Sequence, residues 1–277
     1  MEESMETIRR LLQNNPGLLK FGSATPAKRE RRHRYEQSIE DSFDKLEDIA
    51  REVQAMVMKL PHWCMDAGDR VFEFGKAAME EYALNLSEIG RLFNEVLHKW
   101  SRGPLLGFLA AGASHEIIQD HDVLLLDLTK YSGAISGLGY KHPRGKLELV
   151  GDRAFYIGAK MTGGEILLRG HAANHVGKYL NGGEIIIEGN AGNWIGQQMQ
   201  GGLITIKGSG GDIIGKGMTG GEIIIEGSAG GWLADGMKSG VIRVRGEYGP
   251  IDEGRSGGEV FAWCGDEWKV APRSSSI

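Results

Sequence analysis

Gly-Gly pairs recur every 19 residues through the second half of the chain, at Gly163-Gly164, Gly182-Gly183, Gly201-Gly202 and Gly220-Gly221, and the step reaches back to Gly145 and forward to Gly240. A period of this length that never drifts is the signature of a solenoid, in which each unit is one turn stacked on the last. Each unit reads Gly-Glu-Ile-Ile-Ile-Glu-Gly, then a small-residue corner, an apolar-Gly pair and a Met, most clearly in Gly183 to Gly201 and Gly221 to Ser239.

Stacking the units in register predicts the interior. Alternation within a strand sends Leu147 and Leu149, Ile166 and Leu168, Ile185 and Ile187, Ile204 and Ile206, Ile223 and Ile225, and Ile242 and Val244 to one face. A second apolar column is Leu138, Ile157, Val176, Ile195, Ile214 and Leu233, and a third is Met161, Leu180, Met199, Met218 and Met237. With Ile185 and Ile187 inward, Leu167, Ile186, Thr205 and Ile224 face outward. Leu167, Ile186 and Ile224 form an apolar stripe, interrupted by Thr205 and bordered by Glu184, Glu188, Glu222 and Glu226. A solenoid has no reason to leave such a stripe bare, so these four residues are the expected interface, covered by the N-terminal hairpin of the same chain, by another copy or by a catalytic subunit.

The residue before each strand-ending Gly is Arg169, Glu188, Lys207, Glu226 and Arg245 in turn, a column whose charge changes sign at every rung. Neighbouring strands lie about 4.8 Å apart, so the column reads as a structural salt-bridge ladder that fixes register.

The first hundred residues belong to another class. Ile39, Phe43, Leu46, Ala50, Val53, Val57 and Leu60 step by fours and threes, as do Tyr82, Leu86, Ile89, Phe93, Val96 and Trp100, and Pro61 breaks the chain between them. The resulting division is a short helix and basic linker over 1–35, an α-helical hairpin over 36–103, a connector and first strand over 104–130, and the solenoid over 131–277. Val123 to Leu128 is the expected first strand; the segments 116–122 and the tail after Trp268 are the expected caps of its two ends.

Composition narrows the function. Gly is 43 of 277 residues, about twice ordinary usage, and two cysteines, Cys64 and Cys264, cannot staple a framework. A formal charge of −5 gives no reason to expect nucleic acid, despite the basic run Lys28 to Arg34, and no apolar run is long enough to span a bilayer. Glu2, Glu3 and Glu6 beside Arg9 and Arg10 argue against a secretory or transit leader, so the expected location is the cytoplasm.

No catalytic, cofactor-binding or metal-binding residue is assigned. His171 and His175 have the i,i+4 spacing that binds metal on a helix, but they fall at a solenoid corner where four residues do not return to one face. Their register mates are Asn190, Ser209 and Ser228 for the first and Tyr156, Trp194, Ile213 and Trp232 for the second, so both read as members of corner stacks. Asn174, Asn193 and Asp212 form a further column, read as an amide ladder. Gly215-Lys216-Gly217 lacks the following helix that a phosphate loop requires.

The units Gly192 to Gly202, containing Asn193-Trp194-Ile195-Gly196, and Gly211 to Gly221, containing Asp212-Ile213-Ile214-Gly215, resemble the GXGXG repeat. That repeat is shared by the C-type subunit of formylmethanofuran dehydrogenase, its formyltransferase/hydrolase-complex relatives and the C-terminal domain of the glutamate synthase large subunit. The resemblance covers residues 130–265 and implies a right-handed parallel β-helix. It also implies an assembly role without activity of its own, in which partner subunits carry tungsten- or molybdenum-pterin, flavin or iron-sulfur clusters and this chain binds none. The fold expected is therefore mainly β, a right-handed parallel β-helix of 19-residue coils behind an α-helical hairpin. The function implied is that of a structural subunit of a one-carbon oxidoreductase complex. The alternatives are a stand-alone glutamate synthase-like GXGXG subunit and a self-assembling scaffold. Left-handed β-helix acyltransferases are disfavoured, because hexapeptide coils close in about 18 residues.

Overall fold

The computed structural model describes residues 65–82, 85–97 and 106–271, all within one compact unit, Ile49–Ile277. The expected helix near the N-terminus, the basic run and the first hairpin arm, 36–60, lie outside the described residues.

The protein is mainly β, a parallel solenoid of about seven turns. Its principal sheet is built from β1 (Val123–Asp127), β3 (Lys146–Val150), β5 (Glu165–Arg169), β6 (Glu184–Ile187), β7 (Leu203–Ile206), β8 (Thr219–Ile225), β9 (Ser239–Val244), β10 (Glu259–Cys264) and β11 (Glu267–Val270), in that spatial order. Two short strands, β2 (Ile135–Ser136) and β4 (Ala154–Phe155), begin a second ladder, which continues as single bridges through Ala172, Ala191, Gly210, Ala229 and Tyr248. The 19-residue register carries through the repeats, with Leu147 opposite Ile166, Ile185 opposite Ile204, and Ile223 opposite Ile242. The last step is one residue shorter, Val241 meeting Glu259, at the Gly257-Gly258 departure visible in the sequence.

The three apolar columns are the core. Ile185, Ile187, Ile204, Ile206, Ile195, Ile214, Met199 and Met218 are all fully buried. The corner glycines exist for two reasons at once. Gly177 has φ +64, and a Cβ there would run into Ile204 Cδ1 from a neighbouring turn. The column therefore needs both the left-handed conformation and the missing side chain.

Among the described residues three helices lie at the first end. They are α1 (Met65–Tyr82), α2 (Leu86–Arg91), which runs on into a π-helical turn over Leu92–Leu97, and α3 (Leu106–His115). Within the hairpin expected over 36–103, the described residues after Pro61 are thus divided between α1 and α2. Asn85 caps α2 through a capping box, its Oδ1 accepting from the Glu88 N–H at 3.0 Å and Glu88 Oε2 accepting from the Asn85 N–H at 2.9 Å. Asn94 then ties the turn to the free edge of β1, donating to Leu125 O at 2.9 Å and accepting from the Asp127 N–H at 2.7 Å. The α3 helix packs on β2 and on α1, with Phe108 filling the space that a side chain at Gly137 would take.

At the other end β11 folds back antiparallel on β10 and becomes the last strand of the sheet. Of the tail expected as a cap, Lys269 and Val270 belong to this strand, and residues 272–277 lie outside the described residues. The segment 116–122 contributes Ile118, which is buried, and the Asp122 carbonyl, which accepts from the Lys146 N–H at 2.8 Å.

Candidate functional site

The outward surface of the principal sheet is three residues wide along each strand, because alternate side chains point away from the core. Its central column runs Leu125, Glu148, Leu167, Ile186, Thr205, Ile224, Arg243 and Phe261 in direct register. The expected stripe Leu167, Ile186, Thr205 and Ile224 is thus contiguous, and all four are half-buried. Glu148 and Arg243 bound the stripe, and apolar side chains return beyond them. Leu125 is 49% exposed, while Arg243 lies over the rings of both Phe261 and Trp268, and Trp263 and Trp268 meet edge to face at 5.2 Å. The described helices pack on β1 and β2, away from this stripe.

The alternating column also stands in register. Arg169, Glu188, Lys207, Glu226 and Arg245 occupy successive rungs, and all are exposed. The ion pairs expected within it do not form. Among the described residues no two members of the column approach within 4.0 Å. Arg169 reaches instead to Glu148 at 3.6 Å, and Arg245 lies 4.9 Å over the Trp263 ring. The pairs that do close use the neighbouring columns, Lys146 with Glu148 and Glu165 at 3.3 and 3.0 Å and Arg243 with Glu222 at 2.5 Å. Register brings side chains to one column but leaves their rotamers free, and long flexible side chains gain little from a single exposed pair.

Two other columns at the corner do form ladders, by a route that uses the backbone. The Asp152 carboxylate accepts from the His171 N–H, His171 Nδ1 from Asn190, Asn190 Oδ1 from Ser209, and Ser209 Oγ from Ser228, at 2.7, 2.9, 2.8 and 3.1 Å. In the second, Asn174 Oδ1 accepts from Asn193, Asn193 Oδ1 from Asp212 and Asp212 Oδ1 from Gly231, at 2.9, 2.8 and 2.7 Å. The expected amide column is therefore real, with side chain to backbone as its link rather than side chain to side chain. Asp152 is a member not expected from the sequence, although it lies one period before His171.

The residue after each member of the second ladder turns left-handed. His175, Trp194, Ile213 and Trp232 have φ +66, +66, +63 and +60, and Tyr156 precedes them at +53. His175 stacks on Tyr156 at 4.4 Å and on Trp194 at 5.8 Å, and burial, helped by Lys178 nearby, lowers its pKa to about 4. The two histidines thus part company, one in a hydrogen-bond ladder and the other in a ring stack. No group of three or more His, Cys, Asp or Glu that could hold a metal ion occurs among the described residues. Lys216, between Gly215 and Gly217, pairs with Asp235 at 2.7 Å on the next turn.

A polar clamp joins the cap to the solenoid. Asp69 on α1 accepts from Tyr140 Oη at 2.6 Å and from Lys160 Nζ at 3.2 Å, and lies 3.0 Å from Lys141 Nζ. Burial works to raise its pKa, but these three donors outweigh it and hold the carboxyl below the usual range.

The features together define a parallel β-solenoid covered by helices at its first end and ending in the antiparallel β11, whose broad lateral sheet carries an apolar stripe interrupted by Thr205. No protein-family model and no curated protein sequence matches the chain. No described helix is long and apolar enough to cross a membrane.

Proposed function

We propose that this chain is a non-catalytic assembly subunit, placed in the cytoplasm, whose lateral sheet docks protein. By resemblance, its analogue is the C-type subunit of a formylmethanofuran dehydrogenase-type complex of one-carbon metabolism. The observation that carries this reading is the contiguous half-buried column Leu167, Ile186, Thr205 and Ile224, flanked by aromatic and arginine side chains of the type that dominate interfaces. Capping supports the lateral route. Helices cover one end of the coil and the antiparallel β11 the other, so stacking of solenoids end to end is disfavoured. In such a complex the pterin, flavin or iron-sulfur chemistry belongs to partner subunits.

Purification at native expression level, with identification of bound chains by mass, tests the reading. The wild-type chain is expected to bring protein with it, and Ile186→Lys combined with Ile224→Lys to lose it while remaining folded. An assembly that survives both substitutions unchanged would remove this face from the proposal.

A further inference from the structure

Glu188, Lys207 and Glu226 share no ion pair with each other, yet charge changes sign at every rung from Arg169 to Arg245. A column that alternates in this way has a simple property. Read backwards about the point midway between Glu188 and Lys207, Glu188 meets Lys207 and Arg169 meets Glu226, while Arg245 meets the uncharged Val150.

We infer that the outward sheet binds a second copy of this chain, the two sheets facing each other about a twofold axis that runs parallel to the strands between β6 and β7. The inference rests on the reading of that face as a docking surface and names its occupant. Such an axis keeps positions along the strand and reverses the order of the rungs. In the alternating column Glu188 then meets the partner's Lys207, and Arg169 meets the partner's Glu226, each contact occurring twice by symmetry. In the central column Leu167 meets the partner's Ile224, Ile186 meets the partner's Thr205, and the exposed Leu125 meets the partner's Phe261. Glu148 meets the partner's Arg243.

The apolar column selects this axis from the others that would satisfy the charges. Leu167, Ile186, Thr205 and Ile224 are symmetric about the β6–β7 boundary, which is also the midpoint of the eight parallel strands β1, β3 and β5 to β10. One like-charged contact arises, Glu165 against the partner's Glu222. Each of these already has a cation in its own chain, Lys146 for Glu165 at 3.0 Å and Arg243 for Glu222 at 2.5 Å. The face measures roughly 34 Å by 17 Å from strand spacing and rise, roughly 600 Å² in projection. Side-chain relief brings that toward the ~800 Å² per partner of a standard interface. Packed sheets cross at about −30°, which tilts the axis about 15° from the strands of each chain, so the contacts beside the axis, Glu188 with the partner's Lys207 and Ile186 with the partner's Thr205, match best and carry the register.

Charge reversal provides the test, because the twofold makes complementary variants rescue each other. Analytical ultracentrifugation of the purified full chain should give twice the mass of one chain. Lys207→Glu places Glu188 against a second carboxylate twice over, and Glu188→Lys does the same with two amines, so each alone should raise the dissociation constant about tenfold or more. An equimolar mixture of the two variants should dimerise again. In the mixed pair Glu188 of one chain faces Lys207 of the other, and the carboxylate introduced at position 207 faces the amine introduced at position 188. The double variant Glu188→Lys with Lys207→Glu should also dimerise. Circular dichroism and melting curves of each variant check that the fold is retained. A wild-type chain of single-chain mass at about 100 μM, or a dimer indifferent to these reversals, or a mixture that stays apart, would overturn the inference. If the lone chain is monomeric while Ile186→Lys with Ile224→Lys strips foreign subunits from the native preparation, the second copy is wrong and the assembly reading stands.

Discussion

His171 Nδ1 accepts a hydrogen bond from the backbone N–H of Asn190, one turn on, at 2.9 Å. That nitrogen therefore carries no proton, and any ring proton sits on Nε2. The imidazole is the second acceptor of a column in which Asn190 and Ser209 do the same work. His171→Ala should leave the Asn190 N–H to water and cost about 0.5 to 1.5 kcal/mol in urea denaturation. His171→Asn, which copies the next rung, should recover most of that. Equal losses for the two would mean that the acceptor contributes nothing.

Core burial sets a larger scale. Ile187 and Ile206 are fully buried between rungs above and below, which leaves little room for collapse. Either residue changed to Ala should cost roughly 2 to 5 kcal/mol. Glu184→Ala, one strand position removed from the interior, should be nearly silent. Thermal melts of the three variants give the comparison directly.

The strands, their phase and the three core columns are legible in the sequence because a 19-residue repeat reports the same position many times over. Where the repeat is silent, so is the sequence. The α3 helix has no expected counterpart within 105–131 because Leu106 to Ser114 are all buried, and a helix covered on every side lacks the apolar stripe that marks a surface one. Asp69 and Tyr140 meet across 71 residues, with no local pattern to join them. The charge column illustrates the opposite limit. Its register is readable, while the choice of Glu148 by Arg169 depends on rotamers.

The cap carries an acid-sensitive group. His142 is 4% exposed, its Nε2 3.3 Å from the Gly145 carbonyl, and burial lowers its pKa to about 4, with His115 nearby acting in the same sense. The unfolded chain takes up this proton near pH 6.5 and the folded one only near 4. Stability from His142 is therefore fully present above about pH 6.5 and declines as pH falls toward 4. Asp69, with its depressed pKa, adds a loss in the same direction at still lower pH. Denaturation at pH 7.5 and 4.5 should differ by on the order of 1 to 3 kcal/mol more in the wild type than in His142→Gln. A difference unaltered by the substitution would assign the acid sensitivity to other groups.

The corner glycines offer the sharpest test of how sequence and packing are matched. Gly177, Gly196 and Gly215 are left-handed, and a Cβ on each would collide with the Cδ1 of Ile204, Ile223 and Ile242 respectively. The next member of the column is Ala234, at φ +62 and fully buried. Its counterpart in the strand is Val260, which sits opposite Ile242 and has no Cδ1. The alanine is tolerated where the shorter side chain leaves room for its methyl group, and the left-handed backbone alone then costs about 1 to 2 kcal/mol. Gly177→Ala should accordingly destabilise by that amount plus about 1 to 3 kcal/mol of overpacking. Adding Ile204→Val should remove most of the second part, although the same valine placed in the wild type leaves a void and destabilises. Gly236→Ala, with φ +61 and nothing within 4 Å of the new Cβ, should show the backbone cost by itself. A double-mutant cycle between positions 177 and 204 with a coupling energy near zero would show that the glycine is required for its conformation and not for its missing side chain.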